Sequence, residues 1–345
     1  MKAVVFRRLG GPEVLEVEDV PVPQVGSDDV LVRVRAVSVN RTLDIDVRTW
    51  GATWPIPFPH ILGADPAGDV AEVGAAVRGF TVGDRVVTNF VLGCGTCELC
   101  LQSFENACPQ RRLIGVHCNG GYAEYAAVPA KNLVRIPDSL SYEQASAIMV
   151  IFPVAWHLLV DRAGLRPGES VLVMAAGGAL GVAGLQIAKL AGARVIAAAG
   201  ADWKLERARE LGADEVVNYR ACKLSAEVRR LTGGRGVDVV FENIASEELW
   251  PESIASMVNR GRLVTCGAHG GGLVQVDMND FYRRHLSIIS AAAAPRHQMD
   301  AVYRLAGEGK LKPHIHRSFP LEQAREAHEL VSSRDVFGRV VLTAG

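Results

Sequence analysis

The chain of 345 residues lacks most of the features that would announce a function at once. Charge imbalance is the first absence: 37 lysines and arginines stand against 38 aspartates and glutamates, with no long run of either sign. A surface made of that mixture offers no positive field for a phosphate backbone or an anionic membrane, so neither a nucleic-acid nor a membrane partner is expected. No window approaches the roughly 20 uncharged apolar residues of a spanning helix. The opening MKAVVFRRLGGPEV has no apolar stretch followed by a small-residue cleavage site. Together these absences predict a soluble, cytoplasmic protein. Internal repeats and low-complexity linkers are missing too, and the length exceeds one compact core, which predicts roughly two domains.

A disulfide framework is also not expected. Cysteines number seven, an odd count, and four of them crowd into CGTCELCLQSFENAC at residues 94–108, which suits thiolate ligands in a reduced compartment. Residues 1 to about 136 alternate with the period of two of half-buried strands: DVLVRVRAVSV from Asp29, AGDVAEVG from Ala67, DRVVTNFV from Asp84 and YAEYAAVP from Tyr122. Between about 168 and 292 the texture changes. Short continuous apolar runs precede helical patterns: SVLVMAA before ALGVAGLQIAKLAG, RVIAAAG before DWKLERARELG, and VDVVFEN before SEELWPESIASMVNRG, with RLVTCGA following. Strands without alternation are buried on both faces, so this half predicts a doubly wound parallel sheet with crossover helices. A helix, LEQAREAHELVSS, and a closing strand, GRVVLTA, are expected to return to the β half.

Within VLVMAAGGALG, residues 171–181, a strand feeds a glycine-rich turn that opens a helix. Ala176, Gly178 and Gly181 fit the dinucleotide fingerprint with alanine at its first position, and Ala179 and Leu180 begin the helix whose amides would hold a pyrophosphate. A packing turn has the same pattern; its place at the first of several βα units favours the cofactor. The second strand ends at Ala199 and Gly200 with no carboxylate to hold a ribose 2′-hydroxyl. Lys204 and Tyr219 are placed to meet a 2′-phosphate instead, so NADPH is expected over NADH. Asn243 and Gly267, at the ends of later strands, complete the expected cofactor site.

With the β half, the dinucleotide unit, GFTVGDRVV at Gly79 and the cysteine cluster in view, the chain resembles the medium-chain dehydrogenase/reductase superfamily from end to end. That group comprises the zinc-type alcohol dehydrogenases and quinone oxidoreductases. The resemblance implies an α/β plus β fold: a GroES-like β catalytic domain at 1–152 and 293–345 and a Rossmann NADP-binding domain at 153–292. A zinc lobe is implied at about 93–112. Cys94, Cys97, Cys100 and Cys108 have the spacing of a closed tetrahedral zinc site, which leaves no coordination position for chemistry and so braces a loop. In the family this lobe carries one structural zinc.

A second, catalytic zinc is held in the zinc-dependent branch by a Cys-x-x-Asp motif, a Gly-His-Glu motif and a later cysteine. Here the first reads SVNRTLD, putting Asn40 or Arg41 at the cysteine; the second reads Gly63-Ala64-Asp65; the third falls near Val150. The family's route to a Lewis acid is therefore closed. A replacement site from His60, Asp65 and Asp44 is conceivable, although a lone histidine near an aspartate is more often a loop hydrogen bond. Without the metal, nothing lowers an alcohol's pKa, whereas a conjugated carbonyl spreads developing charge by itself. The zinc-free branch uses NADPH to reduce such C=C bonds and often carries an asparagine at the cysteine position.

The expected activity is thus NADPH-dependent reduction of an enone, an enoyl thioester or a quinone, with an alcohol dehydrogenase of unusual metal site or a non-catalytic NADPH-binding protein as alternatives. Candidate catalytic residues are Asn40 and Arg41 as donors to the substrate carbonyl, Thr42 as a relay and Asp65 as an orienting carboxylate or proton relay; the structural alternatives are an Asn40 that satisfies turn backbone and an Arg41–Asp65 ion pair. The tyrosine acid of some enoyl reductases has no counterpart; Trp50 and Trp54 stand in that region and, with Phe58, Phe90 and Phe152, are expected to form an apolar pocket for a flat substrate. LSIISAAAA from Leu286 reads as an edge strand, which predicts a homodimer, or a homotetramer, around a small-molecule enzyme.

Overall fold

In the computed structural model, which describes residues 1–345 apart from the side chain of Thr53, the chain divides into two compact units. One comprises Met1–Val150 with Pro295–Gly345, the other Ile151–Ala294.

The first unit is organised around Asp29–Ser38, the central strand of a seven-stranded sheet. One edge of this strand carries Ala67–Val73; the other is shared by Tyr125–Pro129 along its first half and Arg339–Thr343 along its second. Ile315–Pro320 lies beyond Arg339–Thr343, and Arg85–Thr88 and Leu133–Arg135 extend the opposite side. Alternation along Asp29–Ser38 predicts one solvated face, yet only Arg33 is fully exposed. The helix Tyr142–Met149 packs over it, with Ala36, Ala147 and Val341 meeting in a small buried cluster. That helix is fixed at its start by a reciprocal cap: Ser141 Oγ accepts from Gln144 N and Ser141 N donates to Gln144 Oε1.

The second unit is a six-stranded parallel sheet in the order Glu215–Asn218, Arg194–Ala199, Ser170–Val173, Val237–Glu242, Met257–Thr265, Ser287–Ser290. Its apolar runs are covered on both faces, as Leu172, Ile196, Val240 and Leu263 in one core cluster with Trp250 and Met257 show. The order reverses between Ser170–Val173 and Val237–Glu242, which makes their carboxyl ends the switch point where such sheets take ligands. The predicted helix over SEELWPESIASMVNRG is shorter than expected: it spans Leu249–Ala255, and the strand Met257–Thr265 begins within the sequence assigned to helix. Ser256 ends the helix by bonding Glu252 O through both N and Oγ, and Met257 is drawn into register with Val237. Among the described residues no single helix is long and apolar enough to cross a membrane.

Candidate active site

Asn40 and Asp65 come together because their strands are neighbours. Ala36 is in register with Ala67, so the residues just beyond Ser38 and just before Ala67 meet at one end of the sheet. Asp65 is fully buried and receives four hydrogen bonds: Ser38 N at 2.9 Å and Ser146 Oγ at 3.2 Å on Oδ1, Ser38 Oγ at 2.5 Å and Asn40 Nδ2 at 3.2 Å on Oδ2. Ser146 is delivered by the capped helix Tyr142–Met149. A carboxylate with its lone pairs so engaged has no open position for a metal.

One helical turn beyond Asn40, Asp44 is equally buried. It accepts from Asn40 N at 2.6 Å and from Gly63 N at 3.0 Å, tying the turn Arg41–Asp46 to the segment before Asp65. Burial pushes Asp44 up to about 7; the Asn40 N–H opposes the rise and the like charge of Asp65 adds to it. Asp65 is raised by burial as well, against the pull of Arg339. Arg339, at the start of the strand beside Ser38, is buried and donates to Val39 O, while its Nε and Nη2 have no hydrogen-bond partner among the described residues. Tyr122 Oη and His328 Nε2 lie 3.1 Å apart, both buried, and burial together with the Arg48 charge holds His328 down to about 3.

Two expected contacts are not found. Arg41 faces Asp46 at 3.7 Å rather than Asp65, because the turn winds with Ile45 N reaching back to Asn40 O and brings a residue five positions on beside it. Thr42 is exposed, on the outside of the turn and apart from the buried cluster. The His60, Asp65 and Asp44 set does not form a site: His60 Nε2 donates to Gly115 O at 3.0 Å, and the only group of metal-ligating side chains among the described residues is the cysteine cluster. Of the aromatic residues of the first unit, Phe90 is buried in the core, whereas Trp50, which ends the short helix Val47–Trp50, and Phe58 are exposed. A cavity of about 550 Å³ in the first unit, lined by Phe80, Arg135, Arg296 and Tyr303, includes no member of the Asn40–Asp65 cluster; Arg135 and Arg296 are already paired with Asp84 and Asp300.

In the second unit the dinucleotide turn has the shape that its residues suggest. A Cβ on Gly181 would stand 2.3 Å from Ala175 O and 2.7 Å from Ala176 Cα, so only glycine lets the helix Ala179–Leu190 start this close to its strand. Gly178 caps that helix with no side-chain bond, leaving the first-turn amides of Ala179, Leu180 and Gly181 available to an anion. Asn243 Nδ2 holds Met174 O at 3.2 Å across the switch point, its Oδ1 has no partner among the described residues, and Gly267 packs against Asn243 O. These features fit a dinucleotide.

At the next strand end, Gly200 and Tyr219 are adjacent because Ala199 and Asn218 are in register. A Cβ on Gly200 would meet Tyr219 Cε2 at 3.0 Å and Arg220 Nε at 2.9 Å, while the Lys204 stem lies over Gly177. Arg220 is a basic residue that the sequence reading passed over. Asp202, the nearest carboxylate along the chain, is held by Asn218 Nδ2 at 2.6 Å.

The sulfurs of Cys94, Cys97, Cys100 and Cys108 all lie within 4.8 Å of one another. Cys94 and Cys100 Sγ are 3.9 Å apart and Cys97 and Cys108 Sγ 3.8 Å. Sulfurs bound at about 2.3 Å to one tetrahedral ion stand about 3.8 Å apart, so the set fits zinc. Backbone N–H donors orient them further: those of Thr96 and Cys97 draw the Cys94 thiol down to about 6.

Comparison with known proteins places these two units in a single context. Residues 26–138 match the family model described as alcohol dehydrogenase GroES-like domain, and residues 179–308 that of zinc-binding dehydrogenase. The chain is 33% identical to the NAD-dependent alcohol dehydrogenase of Sulfolobus acidocaldarius over 99% of both chains. It is 31% identical to the acryloyl-coenzyme A reductase of Metallosphaera sedula over 99% of this chain and 100% of that one. Among solved structures, a crystal structure of an NAD-dependent alcohol dehydrogenase shares 46% identity, covers 100% of both chains and superposes with a TM-score of 0.94.

Proposed function

Since this chain belongs to the medium-chain dehydrogenase/reductase superfamily and is an oxidoreductase, we propose that it reduces the C=C bond of an α,β-unsaturated carbonyl compound, an enone or enoyl thioester, or else a quinone, with NADPH and without a catalytic metal. The observation that carries the reading is the Asn40–Asp65 pair, closed in hydrogen bonds to each other, Ser38 and Ser146 at the position where the zinc-dependent branch holds its Lewis acid. Asp65, with its lone pairs engaged, leaves no position for a metal that would activate an alcohol; a conjugated carbonyl needs only a donor at its oxygen.

The bound dinucleotide supplies a hydride. The turn from Ala176 to Gly181 would take its pyrophosphate on the Ala179–Leu190 helix start, and Asn243 and Gly267 would border its nicotinamide half. Gly200 leaves room for a 2′-phosphate, for which Lys204, Tyr219 and Arg220 provide the donors, and no free carboxylate repels it. Asn40 and Asp65 hold the end of the strand Asp29–Ser38, and with it the Arg41 and Thr42 turn, in one conformation. The cysteine set, loaded with one structural zinc, braces its lobe. The free edge of Ser287–Ser290, with Ile288 exposed, supports a homodimer, and a cysteine set that fits zinc supports a reducing, cytoplasmic setting.

A second reading, alcohol oxidation, is favoured by the names of two relatives. NADPH and NADH consumption against enones, enoyl thioesters, quinones and ketones, with and without chelator, separates the two. Chelator-insensitive NADPH oxidation with a conjugated substrate supports the proposal. Turnover confined to alcohols and ketones, or abolished by chelation, overturns it; tight NADPH binding without any turnover would identify a binding protein. Arg220→Ala is expected to weaken NADPH about tenfold or more and to leave NADH unchanged, the loss of one charge-assisted contact.

A further inference from the structure

The strand Glu215–Asn218 ends on a side chain that bonds two groups beside Gly200. Asn218 Nδ2 donates to Asp202 Oδ1 at 2.6 Å, and Asn218 Oδ1 accepts from Arg220 N at 3.0 Å. One amide therefore joins the carboxylate at the start of the helix Asp202–Glu210 to the backbone of the arginine whose Nε lies over Gly200. Its two ends are not interchangeable: a backbone N–H requires the oxygen, which leaves the NH₂ for the carboxylate. Register sets the meeting. Ala199 pairs with Asn218, and Tyr219 N donates to Ala199 O at 3.2 Å. Ala221 N and Cys222 Sγ both bond Asn218 O, at 3.0 and 3.4 Å, which folds the following turn back on this residue. Asp202 is exposed, so a hydrogen bond rather than packing sets its direction. All of these residues belong to the contiguous unit Ile151–Ala294.

We propose that Asn218 is a positioning residue that determines cofactor choice: it holds Asp202 away from the Arg220 guanidinium and so leaves that cation to a 2′-phosphate. This rests on the NADPH reading above. The physical basis is competition, since carboxylate and phosphate oxygens are alternative acceptors for one guanidinium in the same bidentate geometry. Asp202 freed from Asn218 would pair with Arg220 and repel the phosphate. It would also offer an acceptor to a ribose 2′-hydroxyl, the arrangement by which NADH-specific sites hold their cofactor. Release therefore changes the balance between the two cofactors, whereas loss of a merely structural contact weakens both alike.

The test measures dissociation constants of NADPH and NADH by fluorescence titration at low salt for wild type, Asn218→Leu, Asp202→Asn and the double variant. NADH affinity, read on the same samples, controls for folding. Wild type is expected to favour NADPH. Asn218→Leu is expected to lower that preference about tenfold, the worth of one charge-assisted contact, with NADPH weakened and NADH not. The double variant is expected to return to the preference of Asp202→Asn alone, because the released side chain then carries no charge. An Asn218→Leu preference equal to wild type overturns the role of Asn218. So does a lowered preference that Asp202→Asn leaves uncorrected, which would make Asn218 only a brace for the Arg220 turn. A wild type that does not favour NADPH overturns the NADPH reading and the role of Asn218 together.

Discussion

Asn40 Nδ2 stands 3.2 Å from Asp65 Oδ2, so an amide and a carboxylate from two neighbouring segments of the sheet bind each other. The pair closes a polar cluster in which a carboxylate is offset by Ser38, Ser146 and the buried charge of Arg339.

Removing that carboxylate strands its partners. Asp65→Ala would leave the Ser38 amide and hydroxyl, Asn40 Nδ2 and Ser146 Oγ without their acceptor and Arg339 without its strongest counter-charge. A loss of about 3–5 kcal/mol is expected, as for other broken buried charge networks, read as a lowered midpoint in urea unfolding. A loss below about 1 kcal/mol would show that the cluster does not hold the fold.

His328 makes folding sensitive to acid. Its folded pKa, about 3, lies below the ordinary value of about 6.5. A depressed pKa contributes stability that is present above about pH 6.5 and lost as pH falls toward 3. Asp44, raised to about 7, runs the other way, its contribution declining as pH rises from about 4. Comparison with His328→Gln isolates the first effect: between pH 6.5 and 5 the wild type should lose about 2 kcal/mol more than the variant. Equal slopes would refute the assignment.

The dinucleotide turn has no room for a methyl group. Gly181→Ala places a Cβ 2.3 Å from Ala175 O, so strand and helix must separate. The expected cost is about 1–3 kcal/mol of stability and at least tenfold weaker NADPH binding by fluorescence titration. Unchanged binding would mean that the pyrophosphate lies elsewhere.

The cysteine cage should carry about one zinc per chain. Cys97→Ser is expected to release the metal and lower the melting temperature, while wild-type NADPH oxidation survives a chelator that cannot reach the closed site. Metal analysis and thermal unfolding check both, and a stable wild type without zinc would sink the idea.

What the sequence made legible was local. Four thiolates spaced within fifteen positions had to fold back on one another, and the strand, glycine turn and helix from Val171 to Leu190 follow from periodicity and one conformational requirement. The Asn40–Asp65 neighbourhood was partly legible, as two motifs whose usual ligands are missing. Arg220 was not, because it reaches Gly200 only through the register of two parallel strands. The ion pair of Arg41 was not legible for a related reason: its turn is wound with a five-residue return, which sets Asp46 rather than Asp65 beside it.

The strand Arg339–Thr343 closes the edge of Asp29–Ser38, so the first unit is assembled from residues at opposite ends of the chain. During translation its opening segments leave the ribosome long before that partner exists, whereas Ile151–Ala294 is contiguous and can fold as soon as it emerges. The nascent β half must therefore wait with an unpaired strand edge, and stalled or prematurely terminated chains would be natural clients for chaperones or proteases.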